Sequence, residues 1–341
     1  SREPIAFTTM TFFRKKRREA APLPTLAWAY AGIVLAMVIW ASSYVALKLA
    51  FRSYDPMVVI FGRMLVASLC FTAFIPRFRS SAPRLLRKDL KPLFFMALCE
   101  PCLYFTFEAR ALELTTASQA GMISAMLPLL VAVGARLVLG EVLTLRAAAG
   151  FIVAIAGACG LSSAGEPSEA APDPILGNFL EFMAMVCATG YIISLKWLTA
   201  RYSPFLLTAV QAFVGALFFF PFLFLPSTAL PVAFDPVPAM AVFYLGAVVT
   251  LGAYGLYNYG VSRIAVSRTS VFFNLVPVIT VILGVVILGE RFTLGQYLAS
   301  GLVFAGIYLS QREGRSVVGP PGPGSSDRRR QSTGVGSSQP S

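Results

Sequence analysis

Ten stretches of this chain are apolar on every side, with no polar face for a helix to turn toward water. They run approximately over residues 26–46, 56–75, 92–111, 116–139, 145–163, 176–198, 204–225, 239–260, 267–288 and 294–310. A helix needs about 20 apolar residues to cross the hydrocarbon layer of a bilayer, and each stretch supplies roughly that. The pattern predicts an all-α polytopic membrane protein with ten transmembrane helices.

Composition narrows the chemistry. Of the 341 residues, 57% are hydrophobic and 13% charged, against about 45–50% and 25% in a soluble domain. Histidine is absent, and all five aspartates fall outside the apolar stretches. A zinc hydrolase or histidine-dependent acyltransferase would lack its ligand or base, and an aspartyl intramembrane protease its acid at depth. No Gly-x-x-x-x-Gly-Lys-Ser/Thr loop is present to bind ATP. The chain therefore reads as a non-enzyme, with no catalytic residues, no metal and no cofactor. Its five cysteines lie in apolar stretches and read as packing groups, including Cys99 and Cys102, which imitate a redox pair.

Charge sets the expected orientation. With the amino terminus in the cytoplasm, 21 of the 28 Lys and Arg fall on that side and 3 on the other, the asymmetry that orients helical membrane proteins. Both termini are expected to be cytoplasmic, in a bacterial inner (plasma) membrane, with the net charge of +12 favouring anionic lipid heads. The basic residues are scattered over short loops, so nucleic acid is not an expected partner. Residues 1–25 form a basic N-terminal arm; a cleaved signal peptide fits less well, because the first apolar stretch is long and no small-residue cleavage site follows it. Residues 312–341, rich in Gly, Pro, Ser and Arg, read as a disordered tail.

The chain repeats itself. Leu139-Gly140-Glu141 recurs as Leu288-Gly289-Glu290, Pro128 as Pro277, Thr144-Leu145 as Thr293-Leu294, Ala156-Gly157 as Ala305-Gly306 and Ser118 as Ser267, all 149 residues apart. Nearer the front of each half the offset is 148, pairing Lys48 with Lys196, Tyr54 with Tyr202 and Pro56 with Pro204. The repeats, 26–165 and 176–311, hold five spans each. Five is odd, so the second enters the membrane from the opposite side. Two inverted repeats whose conformations can be exchanged are the device of an alternating-access transporter.

The run from Ser262 to Ser270, leading into Asn274-Leu275-Val276-Pro277-Val278, Leu288-Gly289-Glu290 and Ala305-Gly306, resembles the EamA-type repeat of the drug/metabolite transporter superfamily. The first half carries a looser copy from Thr115 through Pro128 to Glu141, and Trp40-Ala41-Ser42-Ser43 and Arg63 also look like that family. The resemblance covers roughly residues 26–310. It implies ten helices in two inverted bundles and secondary transport of small metabolites, often outward. It also implies that the third, fourth, eighth and ninth helices line the path, which gives Tyr104, Tyr254, Tyr257, Asn258 and Asn274 a cavity role and makes Trp40 a further candidate. Tyr and Asn would supply hydrogen bonds on a largely apolar wall.

Glu100, near the midplane and followed by Pro101, is the sharpest single residue, since a carboxylate at that depth is costly and usually functional. It reads as a proton-binding carboxyl, as a counter-charge for a substrate ammonium, or as a permanent partner for Arg63. Arg63, matched by Gln211 at the 148 offset, reads as a fork for a substrate carboxylate or as a tie between helices. Pro128 and Pro277 bend their helices and are candidate hinges or ligand contacts. Glu141 and Glu290 are expected to cap the helix that follows each. Glu108 and Glu181 are expected near the interface, and Lys48, Arg136 and Lys196 to snorkel. Taken together, the expectation is an exporter of small amphipathic metabolites such as amino acids, with proton coupling through Glu100. The alternative is a sugar-phosphate or nucleotide-sugar exchanger. Partners are a small-molecule substrate, the lipid bilayer and, as a candidate, a second copy of the chain.

Overall fold

A computed structural model of the chain describes residues 23–78, 86–139, 145–264 and 269–311. Residues 1–22 of the expected arm, the expected tail over 312–341, the Gly140-Glu141 turn and Ser267 lie outside them. Among the described residues nine helices are long and apolar enough to cross a membrane: α1 (Leu26–Ala50), α2 (Pro56–Ala73), α3 (Arg87–Leu114), α4 (Ala117–Val138), α5 (Leu145–Ser163), α6 (Pro174–Leu198), α7 (Pro204–Phe224), α8 (Pro236–Arg263) and α9 (Val271–Leu288). A tenth, α10 (Leu294–Ser310), is apolar but shorter. The protein is an all-α membrane protein built as two inverted five-helix repeats.

Several helices begin where capping chemistry places them, not where hydropathy rises. Asp173, Ser203 and Asp235 each accept a backbone N–H from the first turn of α6, α7 and α8, and a proline opens each helix. Proline there loses a hydrogen bond that the first turn lacks anyway. As a result α6 and α8 start earlier than the apolar stretches, as does α3.

The repeats interlock. Helix α1 packs on α8 and α9 of the second repeat, while its counterpart α6 packs on α3 and α4 of the first; α2 lies against α7, α4 against α9 and α5 against α10. The α5–α10 contact is set by small residues. A Cβ added at Gly306 would stand 2.5 Å from Ala154 N and Gly150 O. At the two ends of the bundle a matched pair of tyrosines fastens the start of a third helix to the other repeat. Tyr202 Oη accepts from Leu86 N–H at 3.2 Å and Tyr54 Oη accepts from Asp235 N–H at 3.2 Å. Leu86 and Asp235 are themselves 149 residues apart. Tyr202 also donates to buried Asp89 at 2.8 Å, and Arg201 reaches the other oxygen at 2.7 Å.

The Leu-Gly-Glu turn departs from expectation. Gly289 ends α9 in the left-handed conformation, with φ of 70°, where a Cβ is disfavoured. Glu290 then turns away from α10, whose start is closed by a reciprocal Thr293–Gln296 pair. Its two oxygens accept instead from Ala117 and Ser118 N–H, both at 2.8 Å, capping α4 in the first repeat.

Both third helices are interrupted. α3 widens into a π-helical stretch over Leu98–Leu103, inside which Glu100 leaves helical geometry at φ −151°, ψ 118° before a cis peptide to Pro101. α8 widens over Leu245–Ala253, in the matching part of its repeat. A break frees backbone carbonyls that no lipid can satisfy. Gln211 on α7 donates to Glu100 O at 3.0 Å. In α8 the Thr250 hydroxyl donates to Leu245 O at 2.9 Å, and Arg63 Nε on α2 donates to that hydroxyl oxygen at 2.8 Å. Arg63 and Gln211, the pair matched in the sequence, thus each brace the break of the other repeat. Near both hinge candidates the helix tightens. Ala125 and Met126 make i→i−3 bonds just before Pro128, and a 3-10 turn over Ser270–Asn274 precedes Pro277.

Three outcomes are expected in thermal melts of the detergent-solubilised protein. Gly306→Val should push α5 from α10 and destabilise by about 1–3 kcal/mol, whereas Gly301→Ala, where an added Cβ meets nothing within 4 Å, should leave the midpoint unchanged. Gln211→Leu, which removes the donor from the Glu100 carbonyl, should cost about 1–3 kcal/mol.

Candidate substrate cavity

Between the repeats lies a cavity of about 40 Å³, lined by residues of α1, α2, α3, α4, α6, α8 and α9. Five of the eight residues expected along the path line it: Trp40, Arg63, Glu100, Tyr104 and Tyr254. The break in α3 aims Glu100 inward, and Tyr254 from α8 donates its hydroxyl to that carboxyl. The hydrogen bond to the Glu100 carboxyl comes from Tyr254, and the close ion pair of Arg63 is with Glu108.

Arg63 is 1% exposed and stacks its guanidinium on Phe105, 3.9 Å from Cζ to the ring centroid. Its Nε is occupied at the α8 break, which leaves Nη1 facing Glu108 Oε2 at 3.8 Å. Neither Nη1 nor Oε2 makes a hydrogen bond. The other Glu108 oxygen accepts from Tyr104 at 2.9 Å. Trp40 forms the apolar wall, edge-on to Tyr254 with ring centroids at 4.9 Å and stacked on Phe273 at 5.4 Å.

Glu108 and Glu181 overturn the interfacial expectation. They are 2% and 0% exposed, and Glu181 accepts from Tyr44 of α1 at 2.8 Å while its second oxygen has no partner. Both α3 and α6 start earlier than the apolar stretches, which sets Glu108 and Glu181 deeper along their helices than the stretches imply. A signal for Glu108 was present in the sequence: Glu100, Tyr104 and Glu108 are spaced by four, one face of one helix. Glu181 had no such signal, since its partner Tyr44 lies 137 positions away. Tyr191 and Phe273 also line the cavity without having been singled out.

Tyr257, Asn258 and Asn274 do not line the cavity. Tyr257 stands behind Trp40 and Phe273 in the aromatic stack. The Asn258 amide accepts from Tyr191 at 2.6 Å and donates to Thr208 at 2.7 Å, tying α8 to α6 and α7. Lys196 does not snorkel either: its ammonium donates to Val261 O at 2.6 Å and Ile264 O at 2.8 Å, the last carbonyls around the end of α8.

Comparison with known proteins agrees with this architecture. An uncharacterized transporter of Archaeoglobus fulgidus is 28% identical over 283 residues, spanning 82% of this chain and 98% of its own. The uncharacterized transporter YetK of Bacillus subtilis is 24% identical, spanning 83% and 86%. A protein described as a probable terminal-alkyne amino-acid exporter of Streptantibioticus cattleyicolor is 26% identical over 291 residues, spanning 85% and 94%. A crystal structure at 20% identity superposes with a TM-score of 0.60 over 83% of this chain and 96% of that one, a likeness of fold. Residues 27–163 and 175–311 each match the EamA-like transporter family, and the chain belongs to that family.

Proposed function

We propose that the protein is a secondary transporter that exports small amphipathic metabolites of the amino-acid class across the inner (plasma) membrane by alternating access, coupled to protons, with both termini cytoplasmic. One observation carries this reading. Arg63 Nη1 and Glu108 Oε2 stand 3.8 Å apart, buried, on residues that line the cavity, each without a hydrogen bond. An α-amino acid carries a carboxylate and an ammonium on one carbon, and this neighbouring donor and acceptor complement it. Trp40 and Tyr254 supply an apolar and aromatic wall for the side chain. The amino-acid exporter among the relatives supports the same substrate class.

A cavity of about 40 Å³ holds only a few waters. An amino acid needs more room than this, so the reading has the helices part to admit it, with the tightened turns beside Pro128 and Pro277 as the proposed hinges. The orientation rests on the 21 to 3 division of Lys and Arg. A sugar phosphate is a poorer fit, because Arg63 is the one buried cation among the described residues and phosphate oxygens call for several.

Solute counterflow in proteoliposomes of the purified protein tests the reading. Saturable exchange of labelled zwitterionic amino acids is expected, with Arg63→Gln and Glu108→Gln each lowering the rate about 10-fold or more, the loss of one charged hydrogen bond. Exchange of sugar phosphates with no exchange of amino acids would overturn it.

A further inference from the structure

A buried polar atom without a partner forfeits a hydrogen bond that no lipid can replace. Among the described residues three such atoms belong to side chains that line the cavity: Arg63 Nη1, Glu108 Oε2 and Trp40 Nε1. The first two are the donor and acceptor of the amino-acid reading. The third is an indole N–H, which has one hydrogen to give and no lone pair to offer.

The hydroxyls around the cavity are already engaged. Ser43 and Ser124 donate to the backbone carbonyls of Trp40 and Gly121, at 2.7 and 2.6 Å. Tyr44 donates to Glu181 at 2.8 Å and Tyr191 to Asn258 at 2.6 Å, while Tyr104 and Tyr254 donate to Glu108 and Glu100. None of these groups can give its hydrogen to a solute without releasing a neighbouring carbonyl or side chain. Trp40 Nε1 and Arg63 Nη1 are the buried donors left free among the lining residues.

Packing holds the indole where it is. Its ring is stacked on Phe273 at 5.4 Å between centroids and meets Tyr254 and Tyr257 at 4.9 Å each. The faces of an indole are apolar and its N–H edge is polar, so one residue can serve both as wall and as donor.

We infer that Trp40 is a specificity residue whose Nε1–H donates to the substrate carboxylate beside Arg63 Nη1. The inference rests on the amino-acid reading above and deepens it. A carboxylate has two oxygens, and an arginine often meets both with a fork of two N–H groups. The side-on fork of Arg63 is closed here, because Nε is spent on Thr250 at the α8 break. Nη1 serves one oxygen and the indole serves the other. A solute that has the ammonium and lacks the carboxylate leaves both donors unpaired, and the site selects against it.

Counterflow of labelled L-leucine in proteoliposomes reads the contact. Replacing Trp40 by benzothienylalanine puts sulfur where the N–H stands and keeps the size of the ring. The KM for leucine should rise about 10-fold, the loss of one hydrogen bond to a charged group. Inhibition of the exchange by isoamylamine, which is leucine without its carboxylate, should keep its strength. Trp40→Phe, which also lacks the N–H, should show the same split. An unchanged KM, or one that rises in step with the inhibition constant of the amine, would overturn the inference, because a packing role moves both together. The N–H itself can be followed without transport. Ultraviolet resonance Raman difference spectra between the unaltered protein and Trp40→Phe isolate this indole from Trp28 and Trp197. Sodium acetate, a bare carboxylate, should move the N–H-sensitive band toward a stronger hydrogen bond relative to sodium chloride of equal strength. If the unaltered protein exchanges no amino acid and acetate still moves the band, the substrate reading fails and the carboxylate donor stands. A band that acetate leaves in place would overturn the inference.

Discussion

Within a bilayer a backbone carbonyl released from its helix has no water to turn to, and the rest of this structure depends on how two such releases are met. α3 opens at Glu100 and α8 over Leu245–Ala253, and each opening is braced by the second helix of the opposite repeat, through Gln211 and through Arg63 with Thr250. Irregular backbone at depth is tolerated because it faces a protein-lined cavity. The same openings aim Glu100 and Tyr254 into that cavity. The site and the bracing are therefore one arrangement, and neither repeat contains it alone.

Arg63 shows how a single side chain can satisfy both demands. Guanidinium is a planar fork with several donors, so Nε can hold the α8 break while Nη1 stays available beside Glu108. The two readings that the sequence left open for it, helix tie and substrate fork, are compatible because they engage different nitrogens. Gln211, at the matching place, has its amide N–H on the Glu100 carbonyl and carries no charge. The inverted symmetry is thus kept in the scaffold and broken in the chemistry, which leaves the cavity with one buried cation among the described residues.

What could be read from sequence followed the physics that acts over short distances. Apolar length placed the helices, and the fixed offset gave the inverted repeats. Five of the eight proposed path residues line the cavity, and the other three lie on the same lining helices, α8 and α9, without reaching it. Failures came where a partner lies far along the chain. Glu181 lies near the end of its apolar stretch and nothing near it in sequence announces Tyr44, and Glu290 bonds not the adjacent helix but Ala117 and Ser118, more than 170 residues away. Asn258 looked like a cavity amide, but its donors and acceptors are engaged by Tyr191 and Thr208. In helices that are apolar all round, periodicity gives no rotation, so which polar groups meet is decided by packing alone.

The Glu290 cap bears on how such a chain could have arisen. A half-length protein ending its fourth helix with this glutamate would have no α4 of an opposite-facing neighbour to cap, and its own third helix would open without a brace. It would fold only by meeting a second copy of itself inserted upside down, with the cap and both braces running between molecules. Joining two such copies in one gene turns a bimolecular encounter into an intramolecular one and frees the halves to diverge. The Arg63 and Gln211 pair, identical in place and different in charge, records that freedom.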